Sequence, residues 1–177
     1  ISKVKPLNWI AGIYLSLIRG TPLMVQAFFI YFGITGAMGI RIAAFNAAVL
    51  VLCLNAGAYL SEIFRSGIAA VNKGQMEAAR SLGMSFLQII SRIIIPQALR
   101  AIILQLTNLL VLIMLTTSLA SQVPMDPREL TGLVTYINTY STAGLVAFVV
   151  SAFLYCITAI LIGVFGNKLD KKLRIPR

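Results

Sequence analysis

Side chains able to do acid, base or nucleophilic chemistry are few and scattered. The chain has no histidine, two cysteines and five acids in 177 residues: Glu62, Glu77, Asp126, Glu129 and Asp170. Without histidine no Ser-His-Asp or Cys-His arrangement can be built, and five dispersed acids make no paired-carboxylate site. Cys53 and Cys156 lie singly inside apolar runs, lack metal-ligand spacing, and read as small buried hydrophobes. No G-x-x-x-x-G-K-[ST] phosphate loop is present, so ATP hydrolysis is not expected of this chain. A proton-driven carrier needs a carboxylate within a membrane span. Glu62 alone qualifies, one turn from the end of its apolar run, and pairing with Arg65 at i, i+3 is favoured there over a substrate role. Glu77, Asp126 and Glu129 fall in loops and Asp170 in the tail.

What remains is binding chemistry. Gln26, Asn46, Asn55, Tyr59, Gln105, Asn108, Thr116, Thr117 and Ser118 sit inside apolar runs, where lipid exposure would cost them hydrogen bonds. Hydrogen bonding between helices, worth ~0.6 kcal/mol each, is the other use for such residues and is favoured for Asn46 and Gln105. Asn55, Tyr59 and Glu62 follow i, i+4, i+7 and share a helix face. Asn108, Leu115 and the Thr116–Ser118 cluster form the other candidate lining of a substrate pathway.

The elements that must position these residues are membrane helices. The chain is 59% hydrophobic and 11% charged, with mean hydropathy +0.91, against about 45–50% and about 25% for soluble domains. A net charge of +10 does not signal nucleic acid, because the basic residues flank apolar runs instead of forming a patch with aromatics. Four runs approach the ~20 apolar residues that a span needs: about 20–33, 42–64, 99–119 and 143–166. The stripe Leu7, Ile10, Ile13, Tyr14 and Leu17, with Lys3, Lys5 and Trp9, marks 1–19 as an interfacial segment. Pro22 then breaks the pattern, giving an element that lies on the surface and dives inward, or else a plain kinked span. Residues 33–41 read as a glycine-rich turn, and 120–142 as an external loop whose "PMDPREL" leads into a short helix. The abrupt "ISKVKPLNW" suggests a chain that begins inside a longer protein.

Of fifteen Lys and Arg residues, thirteen fall at the two ends and in 65–100, and only Arg41 and Arg128 on the alternate side. The positive-inside rule therefore places both ends and the 65–98 loop in the cytoplasm.

Within that loop, "KGQMEAARSLGMS" (73–85) carries its own helix signals. Asn72 with Gln75 and Ser85 with Gln88 match capping boxes. Glu77 and Arg80 can pair at i, i+3, Gly83 ends or bends the helix, and Pro96 ends the next one. Ala78, Ala79 and Gly83 let a backbone approach closely. From the residues alone, packing under the membrane and docking of a partner stand level.

"EAARSLG" followed by "IIIPQALR" resembles the EAA motif of permease subunits in bacterial ATP-binding-cassette (ABC) importers, with Glu77, Ala78, Ala79, Gly83 and Pro96 matching. "RGTPLMVQAFFIYFG", "AYLSEIFRSGI" and "TTSLAS" resemble the polar amino-acid uptake branch, and the likeness covers nearly the whole chain. It implies a single all-α permease domain over 1–177: a type I ABC importer (MetI-like) helical bundle with four transmembrane helices, the family's first helix missing. It implies the bacterial inner membrane, a cytoplasmic C-terminus, a second permease subunit, identical or homologous, a cytoplasmic ATPase dimer and an extracytoplasmic solute-binding protein. ATP and magnesium would be bound by the ATPase, and no cofactor by this chain. Glu77, Ala78, Ala79 and Gly83 would carry the ATPase contact, with Arg80 at its edge. Where many relatives have a Lys-Asp pair before "TSLAS", this chain has Leu115 and Thr116, which argues against a strongly cationic substrate. One other reading stays open: a non-transporting scaffold or sensor subunit would recruit a cytoplasmic protein through the 73–85 helix. A secondary carrier would show a mid-membrane carboxylate or inverted repeats, and the sequence offers neither.

Overall fold

The computed structural model describes residues 5–124 and 128–173, and every regular element among them is helical. Lys3, Asp126, Arg174 and Arg177 lie outside the described residues. Among the described residues three helices are long and apolar enough to span, α4 (Ala44–Ala69), the continuous run Phe86–Gln122 and α9 (Gly144–Leu173), and the bent pair Lys5–Gly20 with Leu23–Met38 makes a fourth if taken as one span. Large apolar side chains such as Leu145, Phe153 and Leu161 stand exposed along α9, as expected of a face bathed in lipid. Cys53 and Cys156 are free and exposed. They are not the buried residues their apolar surroundings suggested, because an apolar run in a membrane can face outward.

The chain divides into two compact units, Ile1–Tyr59 with Leu112–Ala159 and Leu60–Val111 with Ile160–Arg177.

In the first unit α1 (Lys5–Gly20) meets the helical run Leu23–Met38 at 108°. Pro22 supplies no N–H at the break. Gln26 holds the corner, its Nε2 donating to Ile18 O at 2.8 Å and Thr21 O at 3.1 Å. Tyr14 ties α1 to α4 by donating to Leu54 O at 2.5 Å. The run after the bend comprises α2 (Leu23–Phe28), a π turn at Phe29–Gly33 and α3 (Ile34–Met38). Most of 33–41 is thus helix and not the expected turn. Gly33 serves packing, since a Cβ there would stand 3.2 Å from the Phe29 ring. Only Gly39, at φ +67°, breaks the chain's direction. Ala27, Val51 and Val123 form this unit's core.

The second unit holds α5 (Lys73–Ser81), α6 (Phe86–Ile89), a π turn at Ile90–Ile94 and most of α7 (Ile95–Thr116). Pro96 does not end a helix, against expectation. The π turn immediately before it re-registers the hydrogen-bond ladder where proline lacks a donor and crowds the carbonyl four residues back. Phe86–Gln122 therefore runs as one helix of 37 residues. Glycine brings the long helices close: a Cβ on Gly67 would lie 2.4 Å from Ile102 Cγ2, and one on Gly166 2.1 Å from Thr107 Oγ1.

Candidate coupling site

Helix α5 is fixed at both ends by side chains and backbone that the sequence specifies. Asn72 is the N-cap, its side chain accepting from Gly74 N at 2.8 Å. The expected box with Gln75 does not form. Gln75 instead accepts a hydrogen bond from Gln97 on α7. At the other end Gly83 adopts φ +74°. Gly83 N donates to Arg80 O at 2.9 Å, and Met84 N reaches back to Ala79 O at 3.1 Å. These two bonds make a Schellman motif with glycine at its left-handed position. Ser85 then starts α6 with a complete capping box, Ser85 N to Gln88 Oε1 at 2.9 Å and Gln88 N to Ser85 Oγ at 3.4 Å.

Capping fixes which side of α5 faces the protein. Ala79 is 3% exposed and packs with Ile89 and Ile94, joined by Met76 and Met84. Glu77, Ala78 and Arg80 point outward and are exposed. The expected Glu77–Arg80 ion pair is not formed. An open surface cavity of about 300 Å³ lies beside α5, lined by Ala78, Ala79, Leu82, Arg92 and Gln97 among others. The five motif positions thus split by role. Ala79 and Gly83 build the element, while Glu77, Ala78 and Arg80 are its free surface.

The predicted pathway residues fall in both units, Asn55, Tyr59, Thr116, Thr117 and Ser118 in the first and Glu62 and Asn108 in the second. Tyr59 lies under Arg19, whose guanidinium carbon is 5.7 Å from the ring centroid, and Asn55 is half-buried. Glu62 takes two hydrogen bonds from Arg65, at 2.5 and 3.2 Å, as its spacing suggested. Asn108 is exposed. The Thr116, Thr117 and Ser118 hydroxyls donate to Ile113, Met114 and Leu115 carbonyls at 2.9, 2.7 and 2.7 Å. Thr116 also borders a void of only about 10 Å³ among apolar residues such as Leu23, Val51 and Leu119.

One polar site was missed. The stretch after Gln122 leads into α8 (Leu130–Tyr140), which folds back along α9. Glu129, dismissed above as a loop acid, caps α8 and accepts a hydrogen bond from Tyr155 on α9. A Glu followed by a helix was the available signal, but nothing in the sequence pointed to its partner 26 residues on.

Residues 1–175 match the model of the binding-protein-dependent transport system inner membrane component. The chain belongs to that family. This inner membrane component is 38% identical to the L-cystine transport system permease protein TcyB of Bacillus subtilis, over 98% of its own length and 73% of the relative's. It is 32% identical to the arginine transport system permease protein ArtQ of the same organism, over 98% and 78%. A solved amino acid ABC transporter superposes with a TM-score of 0.87 at 34% identity, covering 97% of this chain and 78% of that one. The MetNI methionine transporter superposes at 0.78 with 16% identity, which speaks to the fold alone. The fold is that of a type I ABC importer permease, a multi-pass membrane protein.

Because Ala79 is the buried member of the motif, its enlargement has a different expected effect from that of Ala78. Ala79→Leu in the inner membrane component overpacks the Ile89–Ile94 cluster and should cost about 1–3 kcal/mol, lowering the yield of folded protein in detergent. Ala78→Leu, on the free face, should leave the yield unchanged and affect only partner association. Equal yields would show that the Ala79 face is not packed as described.

Proposed function

We propose that this chain is the pore-forming subunit through which a polar amino acid crosses the bacterial inner membrane, driven by a separate cytoplasmic ATPase. The observation that carries this reading is α5: capped at both ends, seated on its own core, and presenting Glu77, Ala78 and Arg80 on a bare face. A helix so held cannot deform under load, so a partner pressing on it moves the helix that follows. ATP and magnesium belong to that partner, and this chain needs no cofactor and catalyses no reaction. An ATPase dimer docks on the 65–98 segment, a second permease subunit completes the pore, and a solute-binding protein delivers the substrate on the opposite side. The skewed positive charge supports a cytoplasmic side for α5 and the C-terminus. Amino-acid cargo follows from the named transport systems of the relatives, cystine and arginine among them.

Reconstitution with the cognate ATPase and binding protein in liposomes tests the reading. ATP-dependent accumulation of at least one of L-cystine, L-glutamine or L-arginine is expected. A complex that assembles, hydrolyses ATP and accumulates none of them would favour the scaffold.

A further inference from the structure

The exposed side of α9 changes its chemistry once along its length. Leu161, Val164 and Phe165 stand on one face, 62%, 46% and 70% exposed. Spacings of three and four residues carry that face on to Lys168, and from there to Lys171 and Lys172. All three lysines are exposed, and none forms an ion pair among the described residues. Gly166 turns the opposite way, with the Thr107 side chain of α7 against it. The acid of this segment, Asp170, is half-buried and lies four residues beyond Gly166, on that inner side. The change falls where the apolar run ends. Residues 144–166 rise ~33 Å, enough for a ~30 Å hydrocarbon layer, and Asn167 opens the polar stretch.

Orientation in the membrane does not explain this placement. The positive-inside rule asks for cations on one side of the bilayer, not on one face of a helix. The helix dipole favours cations in the last turn, on every face, and Lys168 lies before that turn. Lys168 and Lys172 stand at i, i+4, where like charges repel, and no acid on their face relieves them. A phospholipid lying against this face meets the apolar side chains with an acyl chain and the lysines with its phosphate. Lysine stems run along apolar surface while their heads reach the headgroup level. We infer that the outer face of α9 is a binding site for an anionic phospholipid, the phosphate held among Lys168, Lys171 and Lys172 and an acyl chain lying on Leu161, Val164 and Phe165. A second copy of the chain is the poorer occupant, since it carries +10 overall and like charges would meet across a two-fold contact at this face. The inference holds whatever the cargo.

The test uses the full chain in its assembled complex, stripped of lipid in detergent. It is titrated with phosphatidylglycerol or phosphatidylcholine of equal chain length, and bound lipid is counted by native mass spectrometry. The unaltered complex is expected to take its first phosphatidylglycerol about tenfold or more tightly than its first phosphatidylcholine. Lys168→Gln, Lys171→Gln and Lys172→Gln together should abolish the preference, and arginine at the same three positions should keep it. Glycerol 1-phosphate, the headgroup without its chains, should not displace the lipid at about a hundredfold excess, because it lacks the apolar contact. Equal affinity of the unaltered complex for the two lipids overturns the inference, as does a glutamine variant that keeps the preference. Displacement by glycerol 1-phosphate also overturns it, because the face then takes a soluble phosphate and not a lipid. If the triple variant does not insert, Lys171→Gln alone decides. Its affinity for phosphatidylglycerol should fall about fivefold, and an unchanged affinity overturns the inference.

Discussion

A complex carrying Gly83→Val is expected to lose uptake and ATPase association together, while the chain still reaches the membrane. The cause is backbone and not collision. Gly83 sits at φ +74° with no atom within 4 Å of a Cβ built there. A side chain in that conformation costs roughly 1–2 kcal/mol, and a β-branched one more. Valine relieves the strain by leaving the left-handed region, which breaks the Met84 N to Ala79 O bond that closes α5. The exposed Glu77, Ala78 and Arg80 then lose their fixed bearing, although none of them has been altered. A graded series separates this cause from bulk. Gly83→Asn, which tolerates the left-handed region, should retain most activity. Gly83→Ala, smaller than Asn, should retain less. Co-purification of the ATPase with the tagged chain and uptake in liposomes are the two readouts. Normal ATP-driven uptake by the valine variant would defeat docking through α5.

Gly166→Ala should destabilise the chain although it adds one methyl group. The new Cβ would stand 2.1 Å from Thr107 Oγ1, 2.3 Å from its Cγ2 and 2.7 Å from its Cβ. Thr107 is buried and its hydroxyl already donates to Ile103 O at 3.0 Å, so turning it aside would break that hydrogen bond. The helices must separate, at about 1–3 kcal/mol, in a setting where close approach of small residues is itself the attraction. A fall of about 2–12 °C in the midpoint of thermal unfolding in detergent is expected. Thr107→Gly in the same chain should restore it. Thr107→Ala should restore only part of it, because it removes the two closest contacts but leaves its Cβ at 2.7 Å. An unchanged midpoint for Gly166→Ala would show that α7 and α9 do not approach so closely.

The long apolar runs and their flanking charges were legible because membrane spans need length and little else, and α4 and α9 lie near the expected ranges. Asn72, Ser85 and Gly83 were legible because caps and left-handed turns demand particular residue types. Pro96 misled, since a local rule about proline says nothing of a π turn upstream that absorbs it. The glycines at 33–41 misled for a similar reason: Gly33 is small to admit the Phe29 ring and not to turn the chain. Which of two adjacent alanines faces inward was invisible, because Ala78 and Ala79 are alike in sequence and differ only in what packs beneath. Glu129 could not be placed at all. Its contact with Tyr155 depends on α8 doubling back along α9, a long-range pairing that no neighbouring residue announces.

Met84 is the single residue between Gly83, which follows the C-cap of α5, and Ser85, the N-cap of α6. Two capped helices joined at one residue leave no slack to take up. With α5 as the ATPase dock proposed above, a stroke delivered to it would pass into the 37-residue helix without backlash, as through a keyed shaft. Most surface connections tolerate inserted residues, but this one should not: a Gly-Ser pair added after Gly83 should leave both helices intact and abolish ATP-driven uptake in liposomes.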